Sequence, residues 1–113
     1  MEHELSYCKV EPALEVITGR WKIPILYMLF QGTKRFSELQ KGIPNITKKM
    51  LTTQLRELEE HHIIQREVYP VVPPKVEYSL TDYGHTLEPL LTFMHQWGSA
   101  HVDFMRNRSK HQR

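Results

Sequence analysis

Three groups of residues in this 113-residue chain have the chemistry to act on something: a block of lysines and arginines, a single cysteine, and seven histidines. Between Arg20 and Arg56 lie Arg20, Lys22, Lys34, Arg35, Lys41, Lys48, Lys49 and Arg56, with Glu38 the sole carboxylate. Eight cations and one anion put +7 on that segment of a chain whose net charge is +2. A concentrated cationic block in a nearly neutral chain suits a one-sided surface for a polyanion, the alternative being a merely solvated face. Cys8 is the only cysteine, so no disulfide forms within the chain. Among the histidines, His61 and His62 are adjacent and point to different helix faces, and His95 and His101 are six apart. No Cys-x-x-Cys, His-x-x-x-His or acidic cluster accompanies them, so no metal site is expected. A glycine-rich phosphate loop and a nucleophile motif are also missing, so we expect neither an enzyme nor a cofactor.

These groups need a scaffold, and the length suits one domain spanning 1–113. Hydrophobic residues make up 40% and charged residues 25%, ordinary for a globular protein. The longest apolar stretch, Ile23 to Phe30, is too short to span a membrane. The acidic start Met-Glu-His-Glu is unlike a secretory signal, which leads to an expected cytoplasmic location. Glu11 to Thr18 reads as a helix with proline in its first turn, ended by Gly19. Trp21 to Phe30 reads as a buried helix and Phe36 to Lys41 as a short one, broken by Gly42-Ile43-Pro44-Asn45. Thr47 has the side chain to cap the next helix, and Ile46 can staple onto Leu51. Leu51, Leu55 and Leu58 then form one apolar stripe, with Lys49, Thr53 and Arg56 roughly opposite.

Ile64 to Tyr69 and Lys75 to Leu80 alternate as strands, joined by the stiff run Pro70-Val71-Val72-Pro73-Pro74. Thr81 caps a last helix reaching about Phe104, in which Pro89 is expected to make a kink. That helix carries apolar residues around more than one stripe, among them Leu90, Met94, Trp97 and Val102. A domain this small cannot cover so wide a face, so a second copy is expected there, and Arg106 to Arg113 are expected to fray.

The order predicts a mostly α fold with a small β-hairpin (α+β): a winged helix-turn-helix. The helix-turn-helix spans about 36–60, the wing about 64–80 and a dimerisation helix about 81–105. A helix fits the major groove of double-stranded DNA with its first turns toward the base edges. Lys48 and Lys49 sit at the positive end of the helix dipole, where phosphates are favoured. Thr47, Thr52, Thr53 and Arg56 follow, Arg56 able either to grip a guanine or to pair with Glu60. Lys34 and Arg35 are candidates for the DNA backbone, and Lys75 for a phosphate or the minor groove.

The chain resembles the HxlR-type regulators, a MarR-like group of bacterial winged helix-turn-helix transcription factors. The stretches that carry the resemblance are Cys8, Gly19-Arg20-Trp21-Lys22 with Ile25-Leu26, Arg35 to Leu39, Ile46 to Glu59, and Pro73 to Gly84. It implies a homodimer built by the first and last helices, with the helix from Thr47 reading the major groove and the hairpin as a wing; a dimer then calls for an operator with two half-sites. It also implies that Cys8 senses oxidants or electrophiles, as in one subgroup. The position just ahead of a helix and beside Lys9 favours the thiolate. With no second cysteine, the available chemistry is a Cys8–Cys8′ bridge, a mixed disulfide or alkylation, against the alternative of an inert packed thiol. The leading expectation is a repressor released through Cys8. The alternatives are a regulator that answers to a small ligand in a cleft near Trp21 or Trp97, and a winged helix used as a protein-interaction module.

Overall fold

The computed structural model describes residues 9–111. Its elements in chain order are α1 (Val10–Ile17), α2 (Lys22–Phe30), the short strand β1 (Lys34–Arg35), α3 (Phe36–Gly42), α4 (Lys48–Glu60), β2 (Ile64–Tyr69), β3 (Lys75–Leu80), α5 (Asp82–His85) and α6 (Leu87–His111). The strands form one antiparallel sheet in the order β1-β3-β2. This is a winged helix-turn-helix, mostly α with a small sheet. Ile25, Leu26 and Leu29 of α2, Leu39 of α3, and Leu51, Leu55 and Leu58 of α4 meet in one core cluster. Each is at most 2% exposed. At ~1.5–3 kcal/mol for each buried side chain, this shared stripe is what fixes α4 against the two helices before it.

Local chemistry sets where α4 begins and ends. Asn45 takes φ +70 in the turn after α3, a conformation asparagine tolerates better than most residues. Thr47 is extended and its hydroxyl accepts from the Met50 amide at 3.1 Å, giving the expected cap. Ile46 and Leu51 on either side of that cap are both in the core. At the far end the Ile63 amide donates to the Leu58 carbonyl (3.0 Å) and the His62 amide to that of Glu59 (2.9 Å). This is a Schellman closure, and its left-handed position is filled by His62 at φ +62 where glycine is usual. Ile63 and Leu58 are buried together beneath it.

The two hairpin strands occupy the expected residues, paired from Ile64↔Leu80 to Tyr69↔Lys75. The third strand was not expected. Lys34 lies opposite Tyr78 and Arg35 opposite Glu77, which makes β3 the central strand and ties the entry to α3 to the wing.

The C-terminal part departs from expectation in three ways. Thr81 caps the short helix α5, accepting from the Gly84 amide at 2.8 Å, and the chain restarts at Leu87. Pro89 therefore falls in the first turn of α6, where an amide donor is not needed, and does not interrupt a helix. The helix also continues to His111, past the point where fraying was expected. Leu91 is its one buried residue among those described, so most of α6 projects from the domain.

Candidate nucleic-acid interface

The outer face of α4 follows from the burial of its inner face. With Leu51, Leu55 and Leu58 inward, about 100° per residue turns Lys49, Thr53 and Arg56 to the opposite side. All three are exposed, as are Thr47 and Lys48 at the start of the helix. The first turn carries no acidic residue, so the amides left unpaired by helix geometry and the two lysines add to one positive end. Thr52 lies aside from this group. It is half-buried on the flank that faces the hairpin, about 100° from Thr53. Arg56 sits between the outer face and that same flank, and no ion pair joins it to Glu60 among the described residues.

The opposite flank removes one cation from the basic block. Lys22 is buried, its ammonium 2.5 Å from a Glu57 carboxylate oxygen and donating to the Gln54 side-chain oxygen at 2.9 Å. Lys22 therefore belongs to the packing of α2 on α4 and cannot face a polyanion. Glu57 is correspondingly turned away from the outer face and is partly neutralised. Arg20, at the other end of the counted block, lies over the Trp21 ring at 4.6 Å.

Around the sheet the candidates divide by strand face. Arg35 is exposed, and its backbone amide donates to the Glu38 carboxylate at 2.8 Å, which holds the start of α3. Lys34 is half-buried and shares a cross-strand row with Tyr78 and Arg66. Lys75 is engaged within the wing: its ammonium is 3.4 Å from Glu77 and 4.7 Å from the centre of the Tyr69 ring. Burial, and then Glu67 and Glu77 beside it, raise the Tyr69 phenol above its ordinary pKa. Glu67 and Glu77 oppose one another across the hairpin, so that face of the wing offers little to a phosphate. The wing tip is apolar, with Val72 fully exposed.

Arg66 was not among the residues expected at the interface. Alternation along β2 puts it on the same side as Ile64, toward α4, and that periodicity could have found it. It lines a cleft of about 170 Å³ with Thr52, Leu55, Arg56, Glu59 and Tyr78, and lies 3.8 Å from Glu59.

On α6, Leu90, Met94 and Trp97 are 40%, 41% and 65% exposed and share one face, together with exposed Phe93 and Phe104. Trp97 stacks on His101 with ring centres 5.1 Å apart. Val102 is exposed as well but lies roughly a third of a turn away, beside the line of Leu91. Val10, Leu14 and Ile17 of α1 form an apolar groove of about 400 Å³ with Leu90 and Met94. Cys8 lies outside the described residues.

Comparison with known proteins agrees with this architecture. A family model described as HxlR-like helix-turn-helix matches residues 16–106. The HTH-type transcriptional regulator YdeP of Bacillus subtilis is 55% identical over 96 residues, 85% of this chain and 75% of that protein. The redox regulator HypR in its reduced form superposes with a TM-score of 0.81 at 51% identity, covering 87% of this chain and 97% of HypR. A structure assigned to the MarR family, from Enterococcus faecalis V583, gives a TM-score of 0.81 at 36% identity, covering 95% of this chain and 94% of that one. With its family match, its curated relatives and its fold in agreement, the chain belongs to the HxlR-like helix-turn-helix family and is a DNA-binding transcriptional regulator, not an enzyme.

Proposed function

We propose that the chain works as a homodimer that binds operator DNA through α4, represses transcription, and is released when Cys8 is oxidised or alkylated. The observation that carries the DNA reading is the division of α4. Its leucine face is wholly buried, and Lys48, Lys49, Thr53 and Arg56 are left in solvent around a capped, positive helix start. Lys48 and Lys49 supply phosphate contacts, and Thr53 reaches toward base edges. Dimerisation is supported by the exposed Leu90, Met94 and Trp97 face, continuous with the apolar groove against α1.

The thiol switch is supported by the place of Cys8 in the sequence, beside Lys9, and by similarity to a protein described as a redox regulator. In the oxidative route two Cys8 thiols of a dimer give up two electrons and two protons to an oxidant such as hypochlorite and form one S–S bond. In the alkylative route one thiolate attacks an electrophile and forms a thioether. A second reading, favoured by the groove between α1 and α6, has a small apolar ligand seated there in place of thiol chemistry.

The test is a gel shift on the duplex just upstream of the coding sequence, with and without hypochlorite or a quinone, for wild type and Cys8→Ser. Wild type should bind and be released by the reagent, and Cys8→Ser should bind and ignore it. A Cys8→Ser protein that is still released ends the thiol reading. Failure of the reduced wild type to bind DNA ends the operator reading.

A further inference from the structure

The cleft between α4 and the hairpin brings two guanidiniums, a carboxylate and a phenol together. Arg56, Thr52, Leu55 and Glu59 line it from the helix, Arg66 from β2 and Tyr78 from β3. Tyr78 is 8% exposed, and its hydroxyl has no hydrogen-bond partner among the described residues. A phenol at the wall of a cleft, engaged by no protein group, is free to bond an oxygen that enters it. Burial, and Glu59 beside it, hold the Tyr78 phenol above its ordinary pKa against the pull of Arg66 and Arg56, so at neutral pH it keeps its proton and can donate a hydrogen bond. Two guanidiniums against one carboxylate leave the cleft net positive.

We propose that this cleft is a seat for a DNA backbone phosphate, gripped by Arg66 and Arg56 and completed by the Tyr78 hydroxyl. The proposal rests on the reading of α4 as the DNA-binding helix, because only then does the adjoining hairpin flank meet the sugar–phosphate strand. In the free protein Arg66 is held loosely by Glu59 at 3.8 Å, with half of its side chain exposed. Such an exposed pair is weak, whereas a guanidinium–phosphate pair is charge-assisted and often bidentate. Arg66 therefore exchanges Glu59 for the phosphate, and Glu59 remains as the limit on how deep the phosphate enters. The seat couples wing and helix: one phosphate contacted from both fixes the angle at which α4 lies in the groove, without reading sequence.

The experiment measures anisotropy of two labelled duplexes of about 30 base pairs (three helical turns), one random in sequence and one from upstream of the coding sequence, across a salt series. Arg66→Gln should weaken both by the same factor and reduce the slope of log K against log salt by ~0.9, one phosphate's worth. Arg66→Lys should keep the slope. Tyr78→Phe should lower affinity on the order of tenfold with the slope unchanged, since no charge is removed. Arg66 is half-exposed, so its variants carry the test even if Tyr78→Phe melts early. If Arg66→Gln keeps wild-type affinity and slope while Lys48→Gln/Lys49→Gln loses both, the phosphate seat is wrong and the reading of α4 stands. A loss by Arg66→Gln on the upstream duplex alone would mean base recognition and overturn the seat. Wild type failing to bind either duplex overturns both.

Discussion

Removal of the Glu57 carboxylate strands a buried ammonium, and its cost can be worked from the site. Lys22 is 8% exposed in its side chain and Glu57 46%. Breaking a fully buried ion pair costs ~3–5 kcal/mol because the remaining charge is left without a partner. Here one partner is nearly half in water and the Gln54 oxygen stays at 2.9 Å, so about half of that, ~2 kcal/mol, is expected for Glu57→Ala. In a domain of this size that lowers Tm by roughly 8 °C, at ~4 °C per kcal/mol. Lys22→Met removes the stranded charge. In that background Glu57→Ala should cost at most ~0.5 kcal/mol, as for an ordinary exposed residue. Thermal and urea unfolding of the four proteins, at one fixed protomer concentration, close the double-mutant cycle. A coupling of ~1 kcal/mol or more is predicted. If Glu57→Ala unfolds like wild type and the cycle shows no coupling, Lys22 is not a buried cation held by α4, and the reason for subtracting it from the DNA surface disappears.

Three further outcomes are expected. His62→Gly should stabilise the fold by ~0.5 kcal/mol in urea unfolding, because relief of the left-handed strain at φ +62 exceeds glycine's entropy cost. Gly84→Ala should cost ~3 kcal/mol or more, since the new Cβ would overlap the Ile63 carbonyl oxygen, a backbone atom that cannot swing aside; the measurement is loss of the folded far-UV signal at moderate urea. Trp97→Glu, with its side chain two-thirds exposed on the α6 face, should sediment as a monomer where wild type sediments as a dimer, and should keep its unfolding cooperativity.

What could be read from the residues depended on how local the determining chemistry was. The boundaries of α4 were legible because Thr47 caps within three residues and Leu51, Leu55 and Leu58 recur at helical spacing. The hairpin was legible because its strands alternate and the prolines between them cannot join a ladder. β1 was not, because two residues carry no period and their strand character comes from partners more than forty positions away. The charge count over Arg20 to Arg56 overstated the basic surface for the same reason: the partner that neutralises Lys22 lies on another helix, 35 residues on. The division between α5 and α6 left no trace either. Thr86 keeps near-helical angles (φ −67, ψ −14), so nothing in its chemistry announces a stop, and the position of Pro89 could be understood only once Leu87 was known to begin a helix.

In the proposed complex α4 enters the major groove, once from each of two copies. Methylation protection of guanine N7, an atom reachable only from the major groove, tests it most directly on the upstream duplex. Two windows of protected N7 positions are expected, centred about 10 base pairs or a multiple apart, both lost in Lys48→Gln/Lys49→Gln. Bound DNA whose guanines remain fully reactive at N7, or protection that survives in that double variant, would contradict it.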